Sequence, residues 1–233
     1  MKKISIIDEL KNFIKSLTER IPSAVFEILT AISIIKEKFS DVRLVPRFNK
    51  REDLWKDVFD RFNDDAVTVL EFGVYQGYSI KKFTEFNANA NSKFYGFDSF
   101  LGLPEDWTGT HPKGTFNVDG NEPKVTENRI KFVKGWFQNT LPNFLQENEI
   151  SGNLFVHYDA DIFSATLYAM LEVDKLKIPY FAVFDEFTGH ETRALHHYMQ
   201  ISGAEIEFIA STVNKQYPAQ VSCVVKPVKE FNI

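Results

Sequence analysis

The run VTVLEFGVYQGYSIKKFTEF, residues 67–86, decides the fold. Its first part, VTVLEFGV (67–74), is rich in apolar and β-branched residues and reads as a buried strand. Gly73 and Gly77 then supply a turn, and SIKKFTEF (79–86) continues at helical spacing. A buried strand that passes through a glycine turn into a helix is the opening unit of a parallel, helix-covered sheet.

Working outward, the pattern recurs. KFYGFDSF (93–100), IKFVKGWF (130–137), NLFVHYDA (153–160) and PYFAVFDEF (179–187) read as four further strands. Helices are expected over FSATLYAMLEVDKL (163–176) and HETRALHHYMQ (190–200). EIEFIAS (205–211) and QVSCVVKPV (220–228) close the chain as an antiparallel pair at one edge, with turn signals in NKQYPAQ (214–220). The expectation is an α/β, Rossmann-like fold: a seven-stranded, mainly parallel sheet with helices on both faces. Ligands of such sheets bind at the carboxyl ends of the strands.

Residues 1–60 read as an N-terminal helical appendage and 61–233 as the main domain. Ile4, Ile7, Leu10, Phe13, Ile14 and Leu17 recur at helical spacing, and Pro22 separates this helix from a second over 23–38. The second helix is apolar on more than one face and is expected to pack on both sides, so the appendage either covers the core or serves as a lid or a homodimer contact. LVPRFNKRED (44–53) reads as a connector leading to a helix over EDLWKDVFDRF (52–62).

Composition excludes several classes. A formal net charge of −5 gives no electrostatic case for a nucleic-acid partner. The most apolar run, AVFEILTAISII (24–35), carries Glu27 and is too short to span a bilayer, so no transmembrane segment is expected. MKKISIIDELKNF lacks an uninterrupted apolar region and a small-residue cleavage site. The single cysteine, Cys223, excludes an internal disulfide and suits a cytoplasmic location.

Acidic residues gather at the strand ends. Glu71, Gly73, Gly77 and Ser79 surround the first strand-to-helix turn. Its spacing is G-x-x-x-G, neither the G-x-G-x-x-G of dinucleotide binders nor a phosphate loop, and the acid before it suits a positively charged ligand. Asp98, 25 residues beyond Gly73, ends the second strand. There it can accept both hydroxyls of a ribose or cap the turn at Ser99, and the glycine motif upstream favours the ribose. Asp159 and Asp161 in YDADIF end the fourth strand, and Asp185-Glu186 ends the fifth.

Together, LEFGVYQGYSI, FYGFDSFLGLPEDW, VKGWFQNTLP, VHYDADIFSAT and VFDEF resemble the macrocin O-methyltransferase (TylF-type) family. These are class I S-adenosylmethionine-dependent enzymes that methylate sugar hydroxyls with the help of a magnesium ion. The resemblance covers residues 66–200 in order, and FDSFLGLPEDW, GWFQNTLP and DADIFSAT are specific in combination. It implies that Glu71, Gly73, Gly77 and Ser79 line the methionine part of the cofactor and that Asp98 and Ser99 hold its ribose. Gly135 and Trp136 take the adenine side, with core packing an equal alternative for Trp136. Asp159, Asp185 and Glu186 are implied as ligands of Mg2+ (or Mn2+), and Asp159 as general base. The acceptor implied is a sugar or glycoside.

Elementary chemistry agrees with that assignment. Adjacent strands lie about 4.8 Å apart, so Asp159 and Asp185 can reach one ion. Three carboxylates form a hard oxygen set suited to magnesium, manganese or calcium. Asp161, just before a helix, is expected to cap it. His157 is expected to be structural, and His190 follows the acidic pair closely enough to reach an acceptor, although a structural role has the larger share. His111 belongs to a loop, TGTHPKGTF, suited to a flap. Phe187 stands where many relatives carry a tyrosine. Two other readings stay open: a metal-dependent glycosyltransferase using Asp159-Ala160-Asp161 as a D-x-D motif, and a non-catalytic cofactor-binding domain.

Overall fold

The structure, a computed structural model, describes residues 6–18, 22–214 and 217–228. Ile4 of the expected first helix, the opening lysines, and Lys215-Gln216 of the expected closing turn lie outside them. The strands are β1 (Arg47–Phe48), β2 (Val67–Phe72), β3 (Lys93–Asp98), β4 (Ile130–Lys134), β5 (Asn153–Tyr158), β6 (Tyr180–Phe184), β7 (Glu205–Asn214) and β8 (Tyr217–Lys226). The helices are α1 (Ile6–Thr18), α2 (Ser23–Glu37), α3 (Arg51–Asp60), α4 (Tyr78–Phe86), α5 (Phe137–Glu147), α6 (Phe163–Asp174) and α7 (His190–Ser202).

The strand order is β1-β7-β8-β6-β5-β2-β3-β4, and β8 alone runs against the rest. Among the described residues, eight strands therefore replace the expected seven. The addition is β1, which pairs Arg47 with Ser211 and Phe48 with Thr212 inside the segment expected to be a connector. Two residues behind Pro46 are too few to show a period of two, so the strand leaves no mark in the sequence. The closing hairpin forms as expected, with β8 inserted between β6 and β7.

A second difference lies after β4. The strand stops at Lys134 instead of running to Phe137. Gly135 turns the chain at φ +145°, and α5 starts at Phe137. Pro142 within α5 removes one helical donor and obscures the helical pattern.

Side chains alternate across the sheet. Leu70 and Phe72 of β2, with Leu154, Val156 and Tyr158 of β5, face one core, where α5, α6 and α7 add Leu141, Met170 and Leu195. Val69 and Phe155 face the other, built with Leu54, Trp55 and Val58 of α3 and Ile80 and Phe83 of α4. On the first face α2 buries Ala31 and Ile35 but leaves Val25, Phe26, Ile28 and Leu29 exposed.

One row of rings fixes the site above it. Phe97, Phe72, Tyr158 and Phe184 are register neighbours on β3, β2, β5 and β6. Their centroids are 5.0, 5.7 and 5.0 Å apart, with interplanar angles of 27°, 16° and 15°. Such pairs contribute about 0.5–1.5 kcal/mol each beyond area burial. Each ring is followed in sequence by a strand-end residue: Asp98, Gly73, Asp159 and Asp185. Sliding any strand by one residue would turn its ring out of the core, so the ladder holds all four residues level.

Candidate active site

The chain runs outward from β2 to β3 and β4, then returns to β5 and β6 on the other side of β2. The point of reversal lies between β2 and β5, where the loops above the sheet diverge and leave a crevice. A cleft of about 310 Å³ occupies that position. Gly73, Asp98, Ser99 and Trp136 line one half, and Asp159, Asp161, Asp185 and Glu186 the other.

The glycine turn is shaped by proximity. A Cβ on Gly73 would sit 1.8 Å from the carbonyl oxygen of Asp159, and φ is +96°. The amide of Gly73 donates to Phe97 O at 3.0 Å, and that of Asp159 to Phe72 O at 2.9 Å. Asp98 Oδ2 accepts the amides of Val74 and Tyr75, each at 2.8 Å, and Oδ1 accepts the Phe100 amide at 2.7 Å. Asp98 thus ties the loops after β2 and β3 together. The turn at Ser99-Phe100 is capped, and the carboxylate still borders the cleft.

Four of the expected site residues do not border the cleft. Glu71 is fully buried beneath it, with Oε1 3.1 Å from His157 Nδ1. Ser79 is buried in the first turn of α4 beside Glu71. Gly77 is the left-handed N-cap of α4, and Gly135 turns above β4. They shape the walls.

His157, expected to be structural, lies at the centre. It is buried against Trp55 and Phe83, with ring centroids 5.6 and 5.2 Å away, and its Nε2 is 3.8 Å from Asp185 Oδ1. Among the described residues, His157, Asp159 and Asp185 each offer one ligand atom, and the three atoms lie within 4.8 Å of one another. Glu186 stands outside that group, on the exposed rim.

Asp161 does not cap α6. The N-cap is Ile162, without a side-chain hydrogen bond, and His190 Nδ1 accepts the Phe163 amide at 3.1 Å instead. Asp161 adopts the left-handed conformation, φ +62°, which aspartate tolerates, and lines the cleft. Its local spacing mimicked a cap, while the residue that does the capping comes from α7 and is invisible to local reading. His190 therefore caps α6 and does not border the cleft.

Two further groups escaped the sequence. Glu191 in α7 is buried, and its Oε2 accepts the Glu186 amide at 2.9 Å. Gln220 in β8 donates through Nε2 to Asp185 Oδ1. Both contacts join segments that local patterns do not connect.

Burial dominates the electrostatics of the cluster. Burial, then Asp185, holds the Asp159 carboxyl well above its ordinary range, against the pull of His157. Burial, with Glu186 and Asp185, pushes Asp161 up to about 8. For His157, burial favours the neutral ring, but the nearby Asp185 carboxylate, the Nδ1 hydrogen bond to Glu71 and the charge of Asp159 outweigh it and push the pKa up to about 10. His157 Nε2, Glu71 Oε2, Glu191 Oε1 and Gln220 Oε1 are buried without a hydrogen-bond partner. Such groups are costly unless a ligand satisfies them. An ion between His157, Asp159 and Asp185 would neutralise the acids and give Nε2 a partner, so the residues present fit a divalent metal.

No protein-family model matches the chain, and no curated protein matches its sequence. Solved structures do resemble it. CalS11, a calicheamicin methyltransferase, is 19% identical over 87% of this chain and 92% of its own, with a TM-score of 0.56. An O-methyltransferase from Bacillus cereus, in complex with SAH, is 13% identical over 94% of this chain and 97% of its own, with a TM-score of 0.52. The O-methyltransferase TomG from Streptomyces achromogenes, involved in tomaymycin synthesis and in complex with SAM, is 11% identical over 86% and 89%, with a TM-score of 0.51. At these identities the likeness is one of fold, and the chain has the Rossmann-like methyltransferase fold. No helix among the described residues is long and apolar enough to cross a membrane.

Proposed function

We propose that this chain is an S-adenosylmethionine-dependent O-methyltransferase of the macrocin type, acting with a divalent ion on a hydroxyl of a sugar or glycosylated small molecule. The observation that carries the reading is the meeting of the Gly73 turn, Asp98 and the Asp159-Asp161-Asp185 carboxylates around one cleft at the strand-order reversal. That address in this fold suits a nucleoside ligand, and the acids suit a cationic one. The methyl donor is both.

On this reading the donor supplies an activated methyl on sulfur, and the ion supplies positive charge that acidifies a bound hydroxyl. The chain's own residues do the rest. Gly73 lets the donor approach the backbone, and Asp98 holds the loop that receives its ribose, beside Ser99. Trp136 offers an apolar wall for the adenine. Trp107 and Phe116, from the long loop after β3, wall the cleft where an acceptor would lie. Asp159 and Asp185 hold the ion, with His157 beneath and Glu186 at the rim as further donors. Asp159, a carboxylate beside the ion, also accepts the hydroxyl proton. Mg2+ and Mn2+ both fit the oxygen donors. The exposed apolar residues of α1 and α2 support a homodimer through these helices.

Calorimetric titration with S-adenosylhomocysteine, with and without Mg2+ or Mn2+, tests the donor. Methyl transfer from labelled donor to glycosides and phenols, with and without chelator, tests the acceptor. Binding of the donor product and chelator-sensitive transfer to glycosides are expected. Absence of binding in every condition, with nucleotide-sugars binding instead, would sink the reading in favour of a glycosyltransferase. Donor binding without transfer would leave a non-catalytic cofactor-binding domain.

A further inference from the structure

Among the described residues that line the cleft, Arg51 is the one lysine or arginine. It is the first residue of α3, and its guanidinium carbon lies 5.1 Å from the ring centroids of both Trp55 and Tyr78. Trp55 is fully buried, one turn further along α3, and so provides a fixed platform. Glu52 braces the pair from the other side. It accepts from the Tyr78 hydroxyl at 3.0 Å and lies 3.5 Å from Arg51 Nε.

Arg51 is thus held by its stem and by Nε while 44% of the side chain stays exposed, and its terminal amino groups remain for a ligand. A planar guanidinium fixed in this way presents a fork matched to a carboxylate. Tyr78 is also the first residue of α4, a nine-residue helix whose N-cap, Gly77, offers no side-chain cap. The first-turn amides of α4 therefore add to the positive potential beside Arg51.

We propose that Arg51 receives the carboxylate of the donor's amino-acid end and so fixes which way the donor lies in the cleft. The inference rests on the methyltransferase reading. The donor carries a carboxylate and an ammonium at one end and, before transfer, a sulfonium in the middle. The other half of the cleft is lined by the acids Asp159, Asp161 and Asp185, none of which pairs with a carboxylate. The Arg51 and α4 corner is the part of the cleft wall where that carboxylate meets positive charge. With the carboxylate there, the sulfur is carried toward the acidic half.

Two ligands separate the contributions. S-Adenosylhomocysteine carries the carboxylate, whereas 5′-methylthioadenosine keeps the adenosine and thioether but lacks the amino-acid end. Calorimetric titration of both is made on the wild type, Arg51→Met and Arg51→Lys. Arg51→Met is expected to weaken S-adenosylhomocysteine by about 10- to 100-fold, the range for losing a charge-assisted pair, and to leave methylthioadenosine within about twofold. Arg51→Lys is expected to fall between, because it keeps the charge and loses the fork. Equal losses on both ligands would overturn the proposal by showing that Arg51 only supports the wall. An unchanged S-adenosylhomocysteine affinity would overturn it as well, and a rise in acceptor KM alone would reassign Arg51 to an anionic acceptor. A wild type that binds neither ligand would overturn the methyltransferase reading itself, which is distinguishable from either result.

Discussion

Gly73 and the carbonyl of Asp159 touch so closely that no side chain fits between them: a Cβ on Gly73 would lie 1.8 Å from that oxygen. The turn that closes β2 is thereby packed onto the residue that carries the central carboxylate. Donor site and acidic site are two sides of one contact.

Replacing Gly73 with alanine tests that contact. The variant would meet both the clash and the strain of φ +96° in a residue with a Cβ. We expect destabilisation of ~3 kcal/mol or more and loss of S-adenosylhomocysteine binding. Gly152→Ala is the control, because it also has a positive φ, +77°, but nothing lies within 4 Å of its Cβ. It should cost only about 1 kcal/mol and leave binding unchanged. Equal effects would show that strain matters and the Asp159 contact does not. Urea unfolding of both variants decides.

Asp161 gives a pH-dependent prediction. Its carboxyl, pushed up to about 8 by burial and by Glu186 and Asp185, keeps its proton in the folded protein at pH values where the unfolded chain has lost it. The folded state therefore binds more protons between about pH 4 and pH 8, and this group's contribution to stability falls as pH rises through that window. Asp161→Asn should remove that loss. The metal-free variant is expected to melt about 3–6 °C above the wild type at pH 8 and close to it at pH 4. A constant difference in melting temperature across the window would show that Asp161 does not titrate there.

The sequence carried the sheet because its strands are buried on both faces and its turns carry glycine. The strand-end acids Asp98, Asp159 and Asp185 were legible for the same reason, since each directly follows a buried aromatic strand residue. β1 was not, because two residues have no period, and α5 was masked by Pro142. His157 was passed over because a histidine inside an apolar strand is most often packed. Its partner Glu71 is distant in sequence and adjacent only through the β2-β5 register. Glu191, Gln220 and Arg51 reach the site from α7, β8 and α3, and nothing in their local sequence points there.

His157 also predicts the ion's identity. An imidazole donor suits Mn2+ better than Mg2+, which prefers oxygen throughout. The ring is held protonated, with a pKa of about 10, so a metal that uses Nε2 must displace a proton. Calorimetry in buffers of different ionisation enthalpy at pH 7.5 should show proton release on Mn2+ binding, from His157 and from the Asp159 carboxyl that is held above its ordinary range. His157→Gln should reduce that release and narrow the preference for Mn2+. Release unchanged in His157→Gln would show that the ion rests on the carboxylates alone, with Glu186 as the third.

Glu191 tests whether the acidic site is positioned from behind. Its Oε2 accepts the Glu186 amide, which fixes the backbone of the Asp185-Glu186 turn from inside α7. Glu191→Gln keeps a carbonyl acceptor of nearly the same shape, whereas Glu191→Ala leaves the Glu186 amide without a partner. Groups that orient metal ligands typically contribute about 10- to 100-fold in metal affinity. Glu191→Ala should therefore weaken Mn2+ binding by about that factor while 5′-methylthioadenosine, which rests on the other half of the cleft, binds as before. Glu191→Gln should stay within about threefold of the wild type on both ligands. If Gln and Ala weaken the ion equally, the Glu191 charge and not its hydrogen bond governs the site. If neither does, the Asp185-Glu186 turn is held by Gln220 and the sheet, and α7 contributes only packing.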